Sequence, residues 1–325
     1  MKQRTIRRWC NPETILVATN LLEGSSVILH TVYQARLSRA KILLVHVVRP
    51  SPLRTNPTAG VPFVQPSPAL LEVQARLDQM ARAYQREGIL CEPIILSGTP
   101  TEQIPLLVRS RGVDRVVVAT RSPRGVERLL MGSVAEQLAA AMDVPVCIVG
   151  HGAHRGSGND SSPRRILVAT SFRPSSSLCV SFACAFAEEH RTHLTLLHVL
   201  ESVRMGTSQI EEVEIAARQE LATCIPLHAK ERCRIDLEIR VGDPATEILK
   251  VANLVRHDFI TLGSPPDSIV SRILGSSVIH RVVSEADCPV LTIKPLHSAV
   301  MTSTDGLLHT EPVRINPDAS TQNFL

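Results

Sequence analysis

The sequence predicts an α/β protein: two tandem open parallel sheets of five strands each, with helices on both faces. Three observations carry that expectation. The chain has 325 residues, enough for two domains of about 150. Short continuous apolar runs, the pattern of strands covered on both faces, alternate with stretches of helical spacing. And the chain repeats. Arg115–Val149 (RVVVATRSPRGVERLLMGSVAEQLAAAMDVPVCIV) is answered by Asp258–Pro295 (DFITLGSPPDSIVSRILGSSVIHRVVSEADCPVLTIKP). Ala119 maps onto Gly263, Arg128 onto Arg272, Ser133 onto Ser277 and Pro145 onto Pro289, each pair 144 positions apart without a gap.

In the first copy, Thr14–Thr19 (TILVAT) reads as a buried strand. Residues 20–26 form a turn in which Ser25 or Ser26 can cap the next helix, which runs to about Arg39. Lys41–Val48 (KILLVHVV) is the second strand. Arg49–Pro68, rich in Pro, Ser and Thr, reads as a long surface loop. Ala69–Glu87 carries Leu70, Val73, Leu77, Met80, Ala81 and Tyr84 at helical spacing, and Cys91–Leu96 is the third strand. Pro100 near a first turn, with Glu102 close behind, starts a helix that reaches about Arg111. Val116–Val118 is a fourth strand. A small-residue, basic loop from Ala119 to Gly125, a helix from Gly132 and a last strand, Pro145–Val149, complete the unit. The second copy repeats ILVAT at 166–170, LLHVL at 196–200 and Gly242-Asp243-Pro244, with the long loop cut to about Glu201–Thr207.

The division expected is a basic N-terminal arm at 1–11, domains at 12–150 and 164–295, a flexible linker at 151–163 and a disordered polar tail at 296–325. Lys2, Arg4, Arg7 and Arg8 make the arm basic, and it is expected to be solvated and frayed. The two copies are expected to pack as an intramolecular pseudo-dimer.

Composition narrows the function. Net charge is +4 and aromatics are 3% of residues, so a stacking platform for nucleic-acid bases is not expected. The eight cysteines form no CxxC pair and read as buried free thiols in a reducing compartment. No apolar run reaches 18 residues and the charged N-terminus has no apolar core, so neither membrane nor secretion is expected and the cytoplasm is. No GxxxxGK[ST], GxGxxG after a strand, GxSxG or HExxH occurs. His46 and His198, within apolar strands, read as satisfied histidines. His151 and His154 lack metal-ligand company, and Glu188-Glu189 and Glu211-Glu212 read as solvated helix faces. In parallel sheets ligands sit at the carboxyl ends of the strands, at the switch point, here the loops after ILVAT, after HVV or HVL and after VVVA or ITLG.

The order ILVAT, LVHVV, GTPTEQI and GSVAEQLAAAMDVPVCIV, repeated as ILVAT, LLHVL, GDPATEI and SSVIHRVVSEADCPVLTI, resembles the universal stress protein (UspA-like) family in two tandem copies. That resemblance implies a Rossmann-like fold of the adenine nucleotide alpha hydrolase type, paired through its last strands. It also implies a cytoplasmic stress-response regulator, not a turnover enzyme, with protein partners of unknown identity and scope for further dimerisation. Nucleotide-binding members carry Gly, two residues, Gly, nine residues, Gly and then Ser or Thr, with an Asp after the first strand. The first copy places Ala119, Ser122, Gly132 and Ser133 at the loop positions and Asn20 at the Asp position. The second places Gly263, Pro266, Ser276 and Ser277 there, Gly275 one place early, and Ser171 at the Asp position. The motif is eroded in both.

Physical chemistry ranks the loops. Arg121 and Arg124 add charge beside the first, and Gly125 keeps a flexible point. In the second, Pro265 and Pro266 lack N–H donors and Asp267 repels phosphate. ATP, with Mg2+ only as its counter-ion, is therefore expected in the first copy. The binding residues would be Thr19, Asn20, Val47, Val48, Ala119, Arg121, Ser122, Arg124, Gly125, Gly132, Ser133 and Val134. A weaker second set comprises Ser171, Val199, Gly263, Gly275, Ser276 and Ser277. A ligand-free interaction pseudo-dimer and a slow ATPase stay open beside it.

Overall fold

The computed structural model describes residues 2–21, 25–49, 68–120, 133–150, 153, 163–201, 207–264 and 278–294. After an N-terminal helix α1 (Lys2–Cys10), the first half runs β1 (Thr14–Ala18), α2 (Ser25–Ser38), β2 (Lys41–Val48), α3 (Pro68–Arg86), β3 (Cys91–Ser97), α4 (Pro100–Ser110), β4 (Arg115–Ala119), α5 (Ser133–Ala141) and β5 (Val146–Val149). The second half repeats the order. It runs β6 (Arg165–Thr170), α6 (Pro174–His190), β7 (His193–Leu200), α7 (Thr207–Cys224), α8 (Leu227–Arg232), β8 (Ile235–Val241), α9 (Pro244–Leu254), β9 (Phe259–Gly263), α10 (Val278–Glu285) and β10 (Val290–Ile293).

The strands form one sheet in the order β3-β2-β1-β4-β5-β10-β9-β6-β7-β8. Within each half every pairing is parallel. The seam between β5 and β10 is antiparallel, with Val290 opposite Ile148, Leu291 opposite Cys147 and Thr292 opposite Val146. The halves thus pair through their last strands, as expected, but the two five-stranded sheets of the sequence reading are one continuous ten-stranded sheet. Pairing turns two edges into an interior, where every residue of β5 and β10 is buried. The outer edges are β3 and β8. Pro93 removes a ladder donor from one, and Asp236, Glu238 and Arg240 load the other with charge, devices that discourage further pairing.

The central strands carry the core: Ile15, Leu16, Val17, Leu43, Leu44, Val116, Val117, Leu167, Val168 and Leu196 are each fully buried. Their continuous β-branched and aliphatic runs suit strands with helices on both faces. The amino ends of β4 and β9 carry the same polar device. Asp114 Oδ2 accepts the N–H groups of Glu13 and Thr14 at 2.9 and 3.1 Å, and Asp258 Oδ2 those of Arg164 and Arg165 at 2.6 and 2.8 Å. Each carboxylate ties the start of a half's first strand to its fourth. Burial is the main influence on Asp114 and raises its pKa, against the N–H bonds and Arg8, which lower it.

Two expectations need correction. The N-terminal residues are not a frayed arm: α1 buries Ile6, Trp9 and Cys10 and packs on α6 of the second half. Arg4 and Arg7 are exposed, and Arg8 Nε pairs with Asp114 Oδ1 at 2.7 Å. The Trp9 carbonyl accepts a hydrogen bond from Arg115, and His190 reaches the Cys10 carbonyl at 3.3 Å, so α1 bridges both halves. Glu188, read as solvated, is half-buried and pairs with Arg232 of α8 at 2.6 Å. The expected linker lies mostly outside the described residues, but Ala153 within it is buried, with its carbonyl 3.0 Å from His30 Nε2. The long loop at 51–67 and the tail at 296–325 lie outside the described residues.

Candidate functional site

In the first half the strand order reverses between β1 and β4, which pair in parallel with Ala18 opposite Val118. Their carboxyl ends therefore define the switch point of that half. The chain leaving β1 is held by three of the hydrogen bonds at Thr19. Its N–H donates to the Val45 carbonyl at 2.9 Å, its carbonyl accepts from His46 Nδ1 at 2.8 Å, and its hydroxyl accepts the Leu21 N–H at 2.9 Å. That last bond closes a tight turn in which Leu21 takes a left-handed φ of 66° and leaves Asn20 exposed at the tip. A carbonyl only accepts, so His46 Nδ1 carries the proton and the ring is fixed in one tautomer. His46 is the satisfied histidine that its place in β2 predicts.

Val47 and Val48, half-buried at the end of β2, flank this turn, and Ala119, also half-buried, ends β4. The Thr120 N–H is committed to the Val149 carbonyl at 3.1 Å. Helix α5 begins at Ser133, with Val134 half-buried against the core. Glu136 in its first turn is 3.8 Å from His280 of the other half. The structure thus gathers Thr19, Asn20, Val47, Val48 and Ala119 at one sheet edge. Arg121, Ser122, Arg124, Gly125 and Gly132 lie outside the described residues, as do Gly275, Ser276 and Ser277 of the second set.

The second half copies the same backbone and then fills it. His198 Nδ1 donates to the Thr170 carbonyl at 2.8 Å, and the Thr170 hydroxyl accepts the Phe172 N–H at 3.2 Å. Phe172, with φ of 60°, lays its ring against the His198 ring with centroids 4.1 Å apart. Ser171 is tied down: its N–H and hydroxyl both reach Ser176 Oγ, at 3.2 and 3.1 Å. Val199 and Gly263 are half-buried at the ends of β7 and β9. Sequence reasoning placed Ser171 here but missed Phe172. Its signal was the alignment of an aromatic with Leu21 of the first copy.

Among the described residues no group of three or more His, Cys, Asp or Glu side chains is placed to hold a metal ion, and no helix is long and apolar enough to cross a membrane. The eight cysteines are all free, and six are buried. Burial pushes Cys10, Cys91 and Cys184 up to about 12, so these thiols stay protonated and unreactive near neutrality.

The repeated geometry has counterparts. The model of the universal stress protein family matches residues 12–150 and again 163–294. Universal stress protein MJ0531 of Methanocaldococcus jannaschii is 28% identical over 131 residues, covering 39% of this chain and 77% of its own. Universal stress protein YxiE of Bacillus subtilis is 25% identical over 126 residues, 36% of this chain and 84% of its own. A crystal structure of a universal stress protein from Archaeoglobus fulgidus shares the fold at a TM-score of 0.62 and 20% identity, over 88% of this chain and 97% of that one. With two copies of the sheet, the helices and the edge turn, each matched by the family's model, the chain belongs to the universal stress protein family.

Proposed function

We propose that the chain is a cytoplasmic, non-enzymatic stress-response regulator that binds ATP in its first half only, Mg2+ entering as the nucleotide's counter-ion. The observation that carries the choice of half is the contrast between the two edges. At the second, Phe172 covers His198 with its own ring. At the first, the aligned residue is Leu21, and among the described residues no ring covers His46. The base would lie against Val47 and Val48. The phosphates would approach Ala119, whose side chain is a single methyl, and the start of α5, where helix N–H groups favour an anion. Arg121 or Arg124 would add charge-assisted bonds worth about 1.5–3 kcal/mol each. Asn20 would hydrogen-bond the ribose or base without the charge of an Asp, which weakens the site.

Calorimetric titration with ATP of Gly132→Val and Ser276→Val tests the proposal. A branched Cβ at position 132 crowds the phosphate, so binding is expected to be lost there and kept in Ser276→Val. Equal losses, or loss only in Ser276→Val, would overturn the assignment. No binding by the unmodified protein would favour a ligand-free pseudo-dimer, and phosphate release that falls in Arg124→Ala would favour a slow ATPase.

A further inference from the structure

A cavity of about 40 Å³ lies over the seam between the halves, bounded by α2, α6 and the strands β4, β5, β9 and β10. Its walls are related residue by residue. Helices α2 and α6 end alike, with Arg39 and Arg191 both left-handed, which aligns His30 with Phe182 and Gln34 with Phe186. The strand repeat aligns Arg115 with Phe259 and Cys147 with Leu291, and the last two are direct partners across the seam. All eight line the cavity. Every position that is polar in the first half is thus aromatic or aliphatic in the second. The aromatic wall is well ordered: Phe186 meets Phe259 edge-on with centroids 5.3 Å apart and lies 5.8 Å from Phe182.

The polar wall centres on Arg115, which is 5% exposed. Its guanidinium donates to Gln34 Oε1 at 3.0 Å and to the Trp9 carbonyl, both uncharged, while Nε finds no hydrogen-bond partner. No carboxylate forms an ion pair with it among the described residues. Asp114, next in sequence, pairs with Arg8, and Asp258, which also lines the cavity, accepts the Arg164 and Arg165 N–H groups. Buried charges are ordinarily paired, and buried N–H groups ordinarily have acceptors. Here a cation without an ion pair borders a space that holds about three water-sized groups.

We propose that this cavity binds a short-chain monocarboxylate, its carboxylate lying beside the Arg115 guanidinium and its hydrocarbon tail on Phe182, Phe186 and Phe259. An acid of two or three carbons matches both walls and the volume. The bound anion would supply a contact ion pair that no described carboxylate makes with Arg115, and would tighten the seam. The site is separate from the sheet edge proposed for ATP and does not rest on that reading.

Sodium propionate is the probe, with sodium chloride of equal ionic strength and 1-propanol as controls. Saturation-transfer NMR is expected to show transfer to the propionate methyl and none to propanol, and propionate is expected to raise Tm beyond the chloride control. Gln34→Glu puts an internal carboxylate beside the guanidinium. It is expected to melt at or above the unmodified protein and to bind propionate at least tenfold more weakly. Leu291→Phe fills the space from the opposite wall without touching Arg115, and should lose the signal as well. The proposal fails if the unmodified protein shows no transfer and no specific rise in Tm, or if either variant retains both undiminished.

Discussion

Gly150 passes so close to Val283 that a Cβ on it would stand 2.9 Å from the Val283 carbonyl oxygen. The contact joins the end of the first half to the backbone of α10 in the second. At the aligned position of the second copy the chain carries Lys294, so the repeat alone does not demand glycine. The crowding atom belongs to a helix backbone and cannot swing aside. Gly150→Ala is therefore expected to cost about 1–3 kcal/mol, read by urea unfolding. A variant as stable as the parent would mean that α10 shifts freely.

Helix α1 supplies the second prediction. Trp9 is 3% exposed and lies in the helix that packs on α6. Trp9→Ala is expected to cost about 3–5 kcal/mol, in the range of large core truncations. Under the frayed-arm expectation the same change would cost almost nothing, so a single melting curve separates the two.

His257 predicts a pH dependence. It is fully buried, its Nε2 lies 2.9 Å from Thr195 Oγ1, and burial lowers its pKa from 6.5 to about 4. The unfolded state therefore binds the proton more readily. The stability linked to His257 is whole above pH 6.5 and is lost as pH falls through 6.5 to about 4, by roughly 3 kcal/mol in all. The aligned residue in the first copy is Val113. His257→Val should therefore lose about 2–3 kcal/mol less than the parent between pH 7.5 and 4.5. Parallel losses would show that this imidazole does not titrate on unfolding.

Truncation after Pro295 is expected to leave Tm unchanged. The residues beyond it are polar and without a periodic apolar face, so they have little to bury. A fall of many degrees in a calorimetric scan would refute this.

The fold was legible in the sequence because its signals are local and appear twice. TILVAT and ILVAT, LVHVV and LLHVL, and the closing strands each state strand, helix and order. The β5–β10 seam came from the family resemblance, with two apolar edges needing cover in its support. What stayed hidden depends on distant partners. Helix α1 is short and basic, and its burial rests on α6, with Cys10 Sγ meeting the Phe182 carbonyl 172 positions away. The edge turns were legible as the place where strand order reverses, and Thr19, Asn20, Val47, Val48 and Ala119 do meet there. Phe172 covering His198 was not, because it needs a left-handed residue that is not glycine. The cavity needs the register that sets Cys147 against Leu291, and no property of either residue alone announces that.

The antiparallel seam has a further consequence. Its strands are four residues long, a small contact for two free molecules to find and keep. Within one chain the encounter is intramolecular, and a short covalent connection can raise the effective concentration to the order of millimolar. A homodimer built on the same two-fold axis must present each residue twice, so an arginine at the centre would face its own copy. Covalent joining removes that constraint. The two sides of the axis are free to differ, and the equivalent positions hold Arg115 and Phe259 instead of two arginines.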